Sequence, residues 1–474
     1  MNENVLLAGQ IERGVDMEDR SLQRTALLVT TLDSFLSPMM ASAVAVALPS
    51  IGRDFAMSAV QLGWVASAYL LAAAAFLLPF GRLADIHGRK RVFTIGTLLF
   101  GVSSLAAGLA PGARLFLLAR VLQGTGSAMV FGTSVAILTS VFPPQRRGWV
   151  LGINVAATYS GLSLGPFIGG MLTQYLGWRW VFLINFPLGL VVLTALWLKM
   201  PQEWAECRGE SFDWKGSLAY ILMMTAFMLG FTWLPGWRGG AMLLAAVAAL
   251  PLFVRWEVRN PHPIFQARLV RGNIVFAFSN LAALINYSAT FAISFLMSLY
   301  LQYIKGFTPR TAGLILIAQP VVMALFSPVA GRLSDRMEPR VVASLGMGFC
   351  AAGLFVFAWI GRESGLSFIV SALVLVGFGF ALFSSPNTHA VMGSVEKKFY
   401  GVAASTLGTM RIVGGMLSMG VATLVFSLLI GKAKITPDSY PPFIKSVKVC
   451  FAIFSALCVS GVFFSLARGR LHRS

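Results

Sequence analysis

Gly81-Arg82-Leu83-Ala84-Asp85-Ile86-His87-Gly88-Arg89-Lys90-Arg91 is a short, highly charged turn set between two long apolar runs, and a near copy, Gly331-Arg332-Leu333-Ser334-Asp335-Arg336, begins 250 residues further on. That spacing is too long for a solenoid repeat and suits two membrane-embedded halves built on one plan. The register holds outward from the motif. Gly96 aligns with Gly346 at the same offset, and Gly148 and Gly161 align with Gly401 and Gly414 at an offset of 253.

Composition agrees: 57% of the chain is hydrophobic and 12% charged, where a soluble domain carries about 25% charge. Apolar runs of about 17–25 residues, enough for a helix to cross about 30 Å of hydrocarbon, number about fourteen. They lie near 26–48, 61–80, 92–110, 114–138, 149–172, 178–198, 216–234, 240–256, 272–300, 311–332, 341–360, 366–388, 402–430 and 447–468. Basic residues collect in alternate loops, as the cytoplasmic side of a membrane protein requires. That side receives Arg13, Arg20 and Arg24, then Arg82, Arg89, Lys90 and Arg91, Arg146 and Arg147, and Lys199, Arg208 and Lys215. Further on it receives Arg255, Arg259, Arg268 and Arg271, Arg332, Arg336 and Arg340, Lys397 and Lys398, and Arg468, Arg470 and Arg473. The opposite loops hold mostly single cations, and only the 432–448 loop, with Lys432, Lys434, Lys445 and Lys448, runs against the trend. Both termini are therefore expected in the cytoplasm.

A net charge of +19 follows from this topology. The cations are spread over many loops and form no patch that tracks a phosphate backbone, which speaks against nucleic-acid binding. The polar start of the chain, with Asp16 and Glu18, lacks a cleavable signal pattern. Of the four cysteines, Cys207 falls in a loop and Cys350, Cys450 and Cys458 in spans, and the four histidines (His87, His262, His389, His472) are scattered. No disulfide, metal site or cofactor is implied. An enzyme would need a nucleophile, base or metal set converging at one depth, and a channel a ring of filter residues, and neither pattern is present. A phosphate-binding Gly-Lys-Ser/Thr loop is also missing, so an ion gradient is the expected energy source. The domain reading is a tail (1–25), an N-terminal six-helix bundle (26–200), a linker with two inserted spans (201–271), a C-terminal six-helix bundle (272–468) and a second tail (469–474). The inserted pair, at about 216–256, reads as packing or linkage without internal charge.

Three further stretches add to the charged turn: Arg120-Val-Leu-Gln123-Gly124-Thr-Gly126 in span four, Gly161-Leu-Ser-Leu-Gly165-Pro166-Phe-Ile-Gly169-Gly170 in span five, and Trp178-Arg-Trp-Val-Phe-Leu-Ile-Asn185-Phe-Pro187 at the start of span six. On these four motifs the chain resembles the major facilitator superfamily, in its fourteen-spanner drug/proton antiporter branch, over nearly its whole length. The resemblance implies an all-α membrane protein with two six-helix bundles around a central cavity. It implies export of small organic or drug-like molecules across the inner or plasma membrane by alternating access, exchanged for protons and without cofactor. A monomer in the lipid bilayer is the expected state, and an uncoupled facilitator, an exporter of an anionic metabolite, or a non-transporting receptor on the same fold are the rival readings.

In the charged turn, Gly81 and Gly88 allow a tight reversal, while Asp85 can cap a helix or meet a cation and Arg89 and Lys90 can meet headgroups. By resemblance it latches the bundles together on the cytoplasmic face when the cavity opens outward. The second copy ends in Met337-Glu338-Pro339-Arg340 and is expected to be structural. Gly161, Gly165 and Gly169 recur every four residues on one face, with Gly170 alongside, and offer close helix approach, while Pro166 bends the helix. The family associates this motif with antiport, as a smooth surface on which bundles slide.

Arg120 is expensive inside a span and needs a partner or a wet cavity. With Ser127 and Ser134 at spacings of seven, and Gln123 one turn along, it forms a polar stripe expected to face the cavity, although snorkelling toward the outer side is an alternative. Span nine supplies a matching stripe, Asn273, Asn280, Tyr287 and Ser294, with Asn286 beside it; a bundle-packing role is the alternative. Span twelve adds Ser384, Ser385, Asn387 and Thr388, and its Phe378, Phe380 and Phe383 suit an apolar or aromatic substrate.

The chain departs from its branch at one point. Relatives place an acid nine positions before the proline of Ala-Leu-Pro in span one, and that count from Pro49 lands on Met40. Asp33, about 10 Å nearer the cytoplasm by helix rise, is the acid of that span. Three readings stay open: Asp33 carries the proton with Arg411 as counter-ion, Arg120 binds an anionic substrate, or Asp33 is a helix-start residue bonded to Ser34 and Ser37.

Overall fold

A computed structural model describes residues 3–265, 272–396, 400–431 and 433–469. Arg268, Arg271, Lys397, Lys398, Lys432, Arg470, His472 and Arg473 lie outside them, as do most of the 469–474 tail and the side chain of Asp335. Among the described residues the regular structure is helical, and fourteen helices are long and apolar enough to span a membrane. They are Ser21–Asp54 (α1), Ala59–His87 (α2), Arg89–Gly108 (α3), Ala113–Val141 (α4), Trp149–Tyr175 (α5), Trp180–Lys199 (α6), Trp214–Trp233 (α7), Trp237–Arg259 (α8), Ile274–Ile304 (α9), Pro309–Ser334 (α10), Pro339–Phe357 (α11), Leu366–Gly393 (α12), Val402–Leu429 (α13) and Pro437–Ala467 (α14).

Local chemistry sets many of the boundaries. Ser58 and Gln61 form a reciprocal capping box at the start of α2, with bonds of 2.8 and 3.3 Å. Asp213 caps α7, Asn273 caps α9 and Thr308 caps α10. Pro309 and Pro339 occupy first-turn positions, where the missing N–H costs nothing. Span α9 is not one smooth helix: it is interrupted after Thr290 and closes in a π-turn at Tyr300–Ile304.

The packing repeats with the sequence. In the first half α1 lies on α5, α3 on α4 and α6, and α2 on α4; in the second α9 lies on α13, α11 on α12 and α14, and α10 on α12. Individual atoms repeat too. A Cβ on Gly126 would meet Phe100 N at 2.7 Å and Gly96 O at 2.8 Å, and one on Gly379 would meet Cys350 N at 2.5 Å and Gly346 O at 2.7 Å. The two halves meet through α2 against α13, α5 against α10 and α1 against α9.

The inserted pair packs α7 on α8 and lays α7 against α2 and α13, one helix from each half. Tyr220 of α7 donates to the Ala74 carbonyl at 3.1 Å, and Phe231 covers Gly420. The pair is not free of internal charge as expected. Helix α8 continues to Arg259, which brings Arg255 and a buried Glu257 inside it. Glu257 accepts from the Phe265 N–H at 2.8 Å and so holds the following linker.

Candidate functional site

The polar stripe of α4 does not look into a cavity in this conformation. Arg120 is 2% exposed and Gln123 fully buried, inside the N-terminal bundle. Arg120 donates Nε–H to the Val65 carbonyl of α2 at 2.9 Å and Nη1–H to Gln123 Oε1, and it stands 4.6 Å from the Tyr69 ring centroid. Gln123 passes the network on, to Ser104 Oγ of α3 at 2.5 Å and Met40 Sδ of α1 at 3.0 Å, and Tyr69 donates to Ser127 at 2.7 Å. The guanidinium therefore ties four helices of one bundle and does not snorkel. Its level is that of Met40, where the expected carboxylate is missing, and among the described residues it has no ion pair.

The C-terminal bundle hides its amides in the same way. Asn280 donates to the Phe276 carbonyl of its own helix at 2.9 Å, and Asn286 is fully buried. Asn387 donates to the Ser279 carbonyl at 3.1 Å and accepts from Arg468 at 2.8 Å. These three were expected to line the cavity and lie inside the bundle instead. Arg468, read as a cytoplasmic loop cation, turns back into the bundle at 1% exposure. Burial, with Arg340 nearby, pushes its pKa down to about 10.

What does reach the space between the bundles is a smaller set. Hydrogen bonds join the halves at the ends assigned outside: Ala59 N–H to the Ala433 carbonyl (3.1 Å), Gln302 to the Val46 carbonyl (2.8 Å) and Arg310 to Tyr175 Oη (3.0 Å). Deeper in, Ser163 of α5 donates to the Pro320 carbonyl of α10 at 3.2 Å, and the innermost of these bonds joins Tyr159 of α5 to Ser384 of α12. The Tyr287 phenol lies beside the same pair. Arg411 of α13 stands 5.6 Å from the Tyr287 ring centroid and donates to Thr388 Oγ1 at 3.2 Å, while Phe380 meets Tyr287 edge-on at 5.3 Å. Tyr159, Tyr287, Thr388, Arg411 and Asp33 keep partial exposure deep in their spans. These are the side chains that a cleft between the bundles, opening toward the side assigned to the cytoplasm, would expose.

Asp33 forms no hydrogen bond or ion pair among the described residues. It is bonded neither to Ser34 nor to Ser37, which removes the helix-start reading, and it is not paired with Arg411 in this conformation. Of the eighteen acids in the chain it is the one more than three residues inside a span.

The glycines of α5 divide their work. A Cβ on Gly161 would sit 2.1 Å from the Phe35 carbonyl oxygen, one on Gly165 1.9 Å from Ser42 Oγ, and one on Gly169 2.5 Å from Ala43 Cα. All three press α5 onto α1 within one bundle, so they are not the surface on which bundles slide. That boundary is served by Gly170, 2.6 Å from the Pro309 carbonyl by the same measure, and by Pro166, whose carbonyl meets Gly313 of α10.

In the charged turn only Gly88, at φ 119°, breaks the helix; α2 runs through Gly81 to His87, and a Cβ on Gly81 would touch nothing. Arg89 Nε donates to Asp85 at 2.9 Å and its Nη1 to Ser140 at 2.6 Å. A strap, residues 201–213, supplies the rest. Glu206 takes Arg89 in a fork at 2.7 and 2.9 Å, Glu210 takes Arg82, and Glu203 accepts from the Lys90 and Arg91 backbone N–H groups at 2.9 and 3.1 Å, capping α3. The Arg89 hydrogen bond holds the Glu206 carboxyl below the usual carboxylate range against its partial burial. The turn is thus engaged by the strap, not by the opposite bundle. Sequence reasoning passed over these three glutamates, whose spacing in a polar loop carries no periodic signal. It also passed over Tyr159, whose signal was its place two residues before Gly161 in the antiporter-like motif.

Residues 32–256 and 279–473 match the family model described as Major Facilitator Superfamily. The chain is 28% identical over 409 residues to the riboflavin transporter RibZ of Clostridioides difficile, covering 85% of this chain and 87% of that protein. It is 32% identical over 410 residues to the multidrug resistance protein Stp of Mycobacterium tuberculosis, covering 84% and 75%. Its fold matches a bacterial homolog to the human lysosomal transporter Spinster, solved in an inward-facing and unoccupied conformation, with a TM-score of 0.69 at 16% identity over 94% of this chain and 97% of that one.

Proposed function

This chain belongs to the major facilitator superfamily, a family of transporters and not of enzymes, and we propose that it exports small organic molecules from the cytoplasm across the plasma membrane by proton-coupled alternating access. Membership and the fourteen apolar helices make it a multi-pass integral membrane transporter. Direction and coupling are the part proposed. The observation that carries them is Asp33: a lone carboxyl deep in α1, partly exposed in the cleft, with no cation or donor engaging its oxygens among the described residues. A proton is a ligand it can take without rearrangement. Relatives named for multidrug resistance and for riboflavin transport support a cargo of small organic compounds.

In the cycle we infer, the cleft loads substrate from the cytoplasm at Tyr159, Tyr287 and Arg411. Separation of the outer contacts, Ala59 with Ala433 and Gln302 with Val46, then opens it outward. A proton taken from outside by Asp33 returns the protein and is released inward. Asp85, Gly88, Arg89 and Lys90 act as the cytoplasmic gate, with Gly81 facing the space the opposite bundle fills on closing. Arg120, Gln123 and Ser127 keep the N-terminal bundle rigid while it moves, and Asn280, Asn286 and Asn387 do so for the other.

The test is efflux from vesicles of reconstituted protein with and without an imposed pH gradient, native against Asp33→Asn. Native efflux should accelerate with the gradient and the variant should transport at a rate that ignores it. Gradient-driven efflux by the variant removes Asp33 from the coupling, and native transport indifferent to the gradient makes the protein an uncoupled facilitator.

A further inference from the structure

We propose that the cluster around Arg411 recognises an anionic group on a planar aromatic molecule, so that the cargo is a class of aromatic carboxylates, sulfonates or phosphates. The inference rests on the reading of the central cleft as the substrate path. Arg411 lies in α13, where a guanidinium is costly unless a partner offsets its charge. Its Nη2 reaches one neutral acceptor, Thr388 Oγ1 at 3.2 Å, and its buried Nε–H has no acceptor. No carboxylate engages it among the described residues, Asp33 included. The Tyr287 ring, 5.6 Å away, recovers part of the cost through its π face. The missing piece is a negatively charged acceptor with two oxygens, which the guanidinium fork is shaped to hold.

The surroundings describe the rest of the ligand. Tyr159, Tyr287 and Ser384 form one hydroxyl network beside the cation, and Thr388 spends its proton on the Ser384 carbonyl at 2.8 Å, so an anion gains donors by replacing bonds within the Tyr159–Ser384–Tyr287 set. Phe380, edge-on to Tyr287 at 5.3 Å, supplies an aromatic wall for a flat body. Because Tyr159 belongs to the N-terminal bundle and the others to the C-terminal one, an occupant reaching both competes with the Tyr159–Ser384 bond and acts on the contact that joins the halves. Arg120 offers no such site, since Val65, Gln123 and Tyr69 enclose it.

The experiment is fluorescence anisotropy of purified full-length protein in detergent with fluorescein, a planar dianion, and rhodamine 123, a cation on a similar ring system. Native protein should bind fluorescein, displaced by benzenesulfonate and not by benzylamine. Arg411→Gln should weaken fluorescein about 10- to 100-fold without weakening rhodamine, with Arg411→Lys between. Preference for rhodamine, binding of neither dye, displacement by benzylamine, or fluorescein binding unchanged in Arg411→Gln each overturns the proposal. The displacement series uses native protein, so it decides even if the variant does not fold. Rhodamine export in vesicles without fluorescein binding would sink this inference and leave the exporter reading standing; Arg411-dependent fluorescein binding without transport of either dye would do the reverse.

Discussion

Gly161, Gly165 and Gly169 have no room for a methyl group, whereas a Cβ on Gly152, earlier in the same helix, would touch nothing. Gly161→Ala should therefore cost about 1–3 kcal/mol through overpacking against the Phe35 carbonyl, and Gly152→Ala should be neutral or stabilising by up to about 1 kcal/mol. Apparent melting temperatures of the two variants in detergent check this, and equal values would contradict it. The chemistry of such residues was legible from residue type and spacing. What was not legible was direction: a seven-residue stripe defines a face of α4, but Arg120 satisfies itself on sister helices α2, α3 and α1 as well as it could on a cavity. Asn387 was read toward the cleft because nothing in the sequence announces that Arg468, beyond the last span, folds back to meet it. Gln123→Ala should leave the Arg120 guanidinium short of an acceptor and cost about 1–3 kcal/mol, read in the same melting experiment.

At the scale of elements, the strap and the charged turn behave as one unit. Cys207 donates its backbone N–H to the Asp85 carbonyl at 2.9 Å and accepts at Sγ from Arg82, and it is the one cysteine of four that is not buried. Its alkylation therefore reports on the strap. Glu206→Gln removes the fork on Arg89 and should speed alkylation at pH 7.5 several-fold; an unchanged rate would mean the strap is held elsewhere. The pH dependence has a fixed sign. Because Glu206 titrates lower in the folded protein than free glutamate, at about 4.3, its contribution is fully present above that value and is lost only as pH falls through the lower, folded one. Corrected for thiolate fraction, native protein and Glu206→Gln should therefore show the same pH profile from about pH 5.5 to 8, any midpoint there belonging to a group other than Glu206, since the strap's Glu210 also pairs with His262 at 2.7 Å. A midpoint in that window lost in Glu206→Gln would contradict this. Most helix boundaries were read to within a few residues from apolar length, but α2 runs on to His87 where 80 was expected, and α14 starts at Pro437, ten residues before the expected 447, which puts Lys445 and Lys448 in the helix and not in the loop. The strap was not legible, because an irregular loop has no period to read.

For the whole molecule, the duplicated charged turn announced the architecture correctly because the residues it aligns, Gly96 with Gly346 at an offset of 250 and Gly126 with Gly379 at 253, make the same contact in each half. Which ends of the bundles close is a different matter, set by contacts between helices far apart in sequence, such as α2 with α13, for which one chain gives no pattern. The structure seals the outer ends, and transport requires them to part. Ala59 and Ala433, hydrogen-bonded through their backbones at 3.1 Å, stand within reach of a disulfide, whose Cα atoms lie about 4.4–6.8 Å apart. In a protein freed of its four native cysteines, Ala59→Cys with Ala433→Cys should be silent when reduced. Oxidised, it should abolish vesicle transport, with full recovery on adding reductant. Transport at the native rate by the quantitatively cross-linked protein would contradict alternating access between these two bundles.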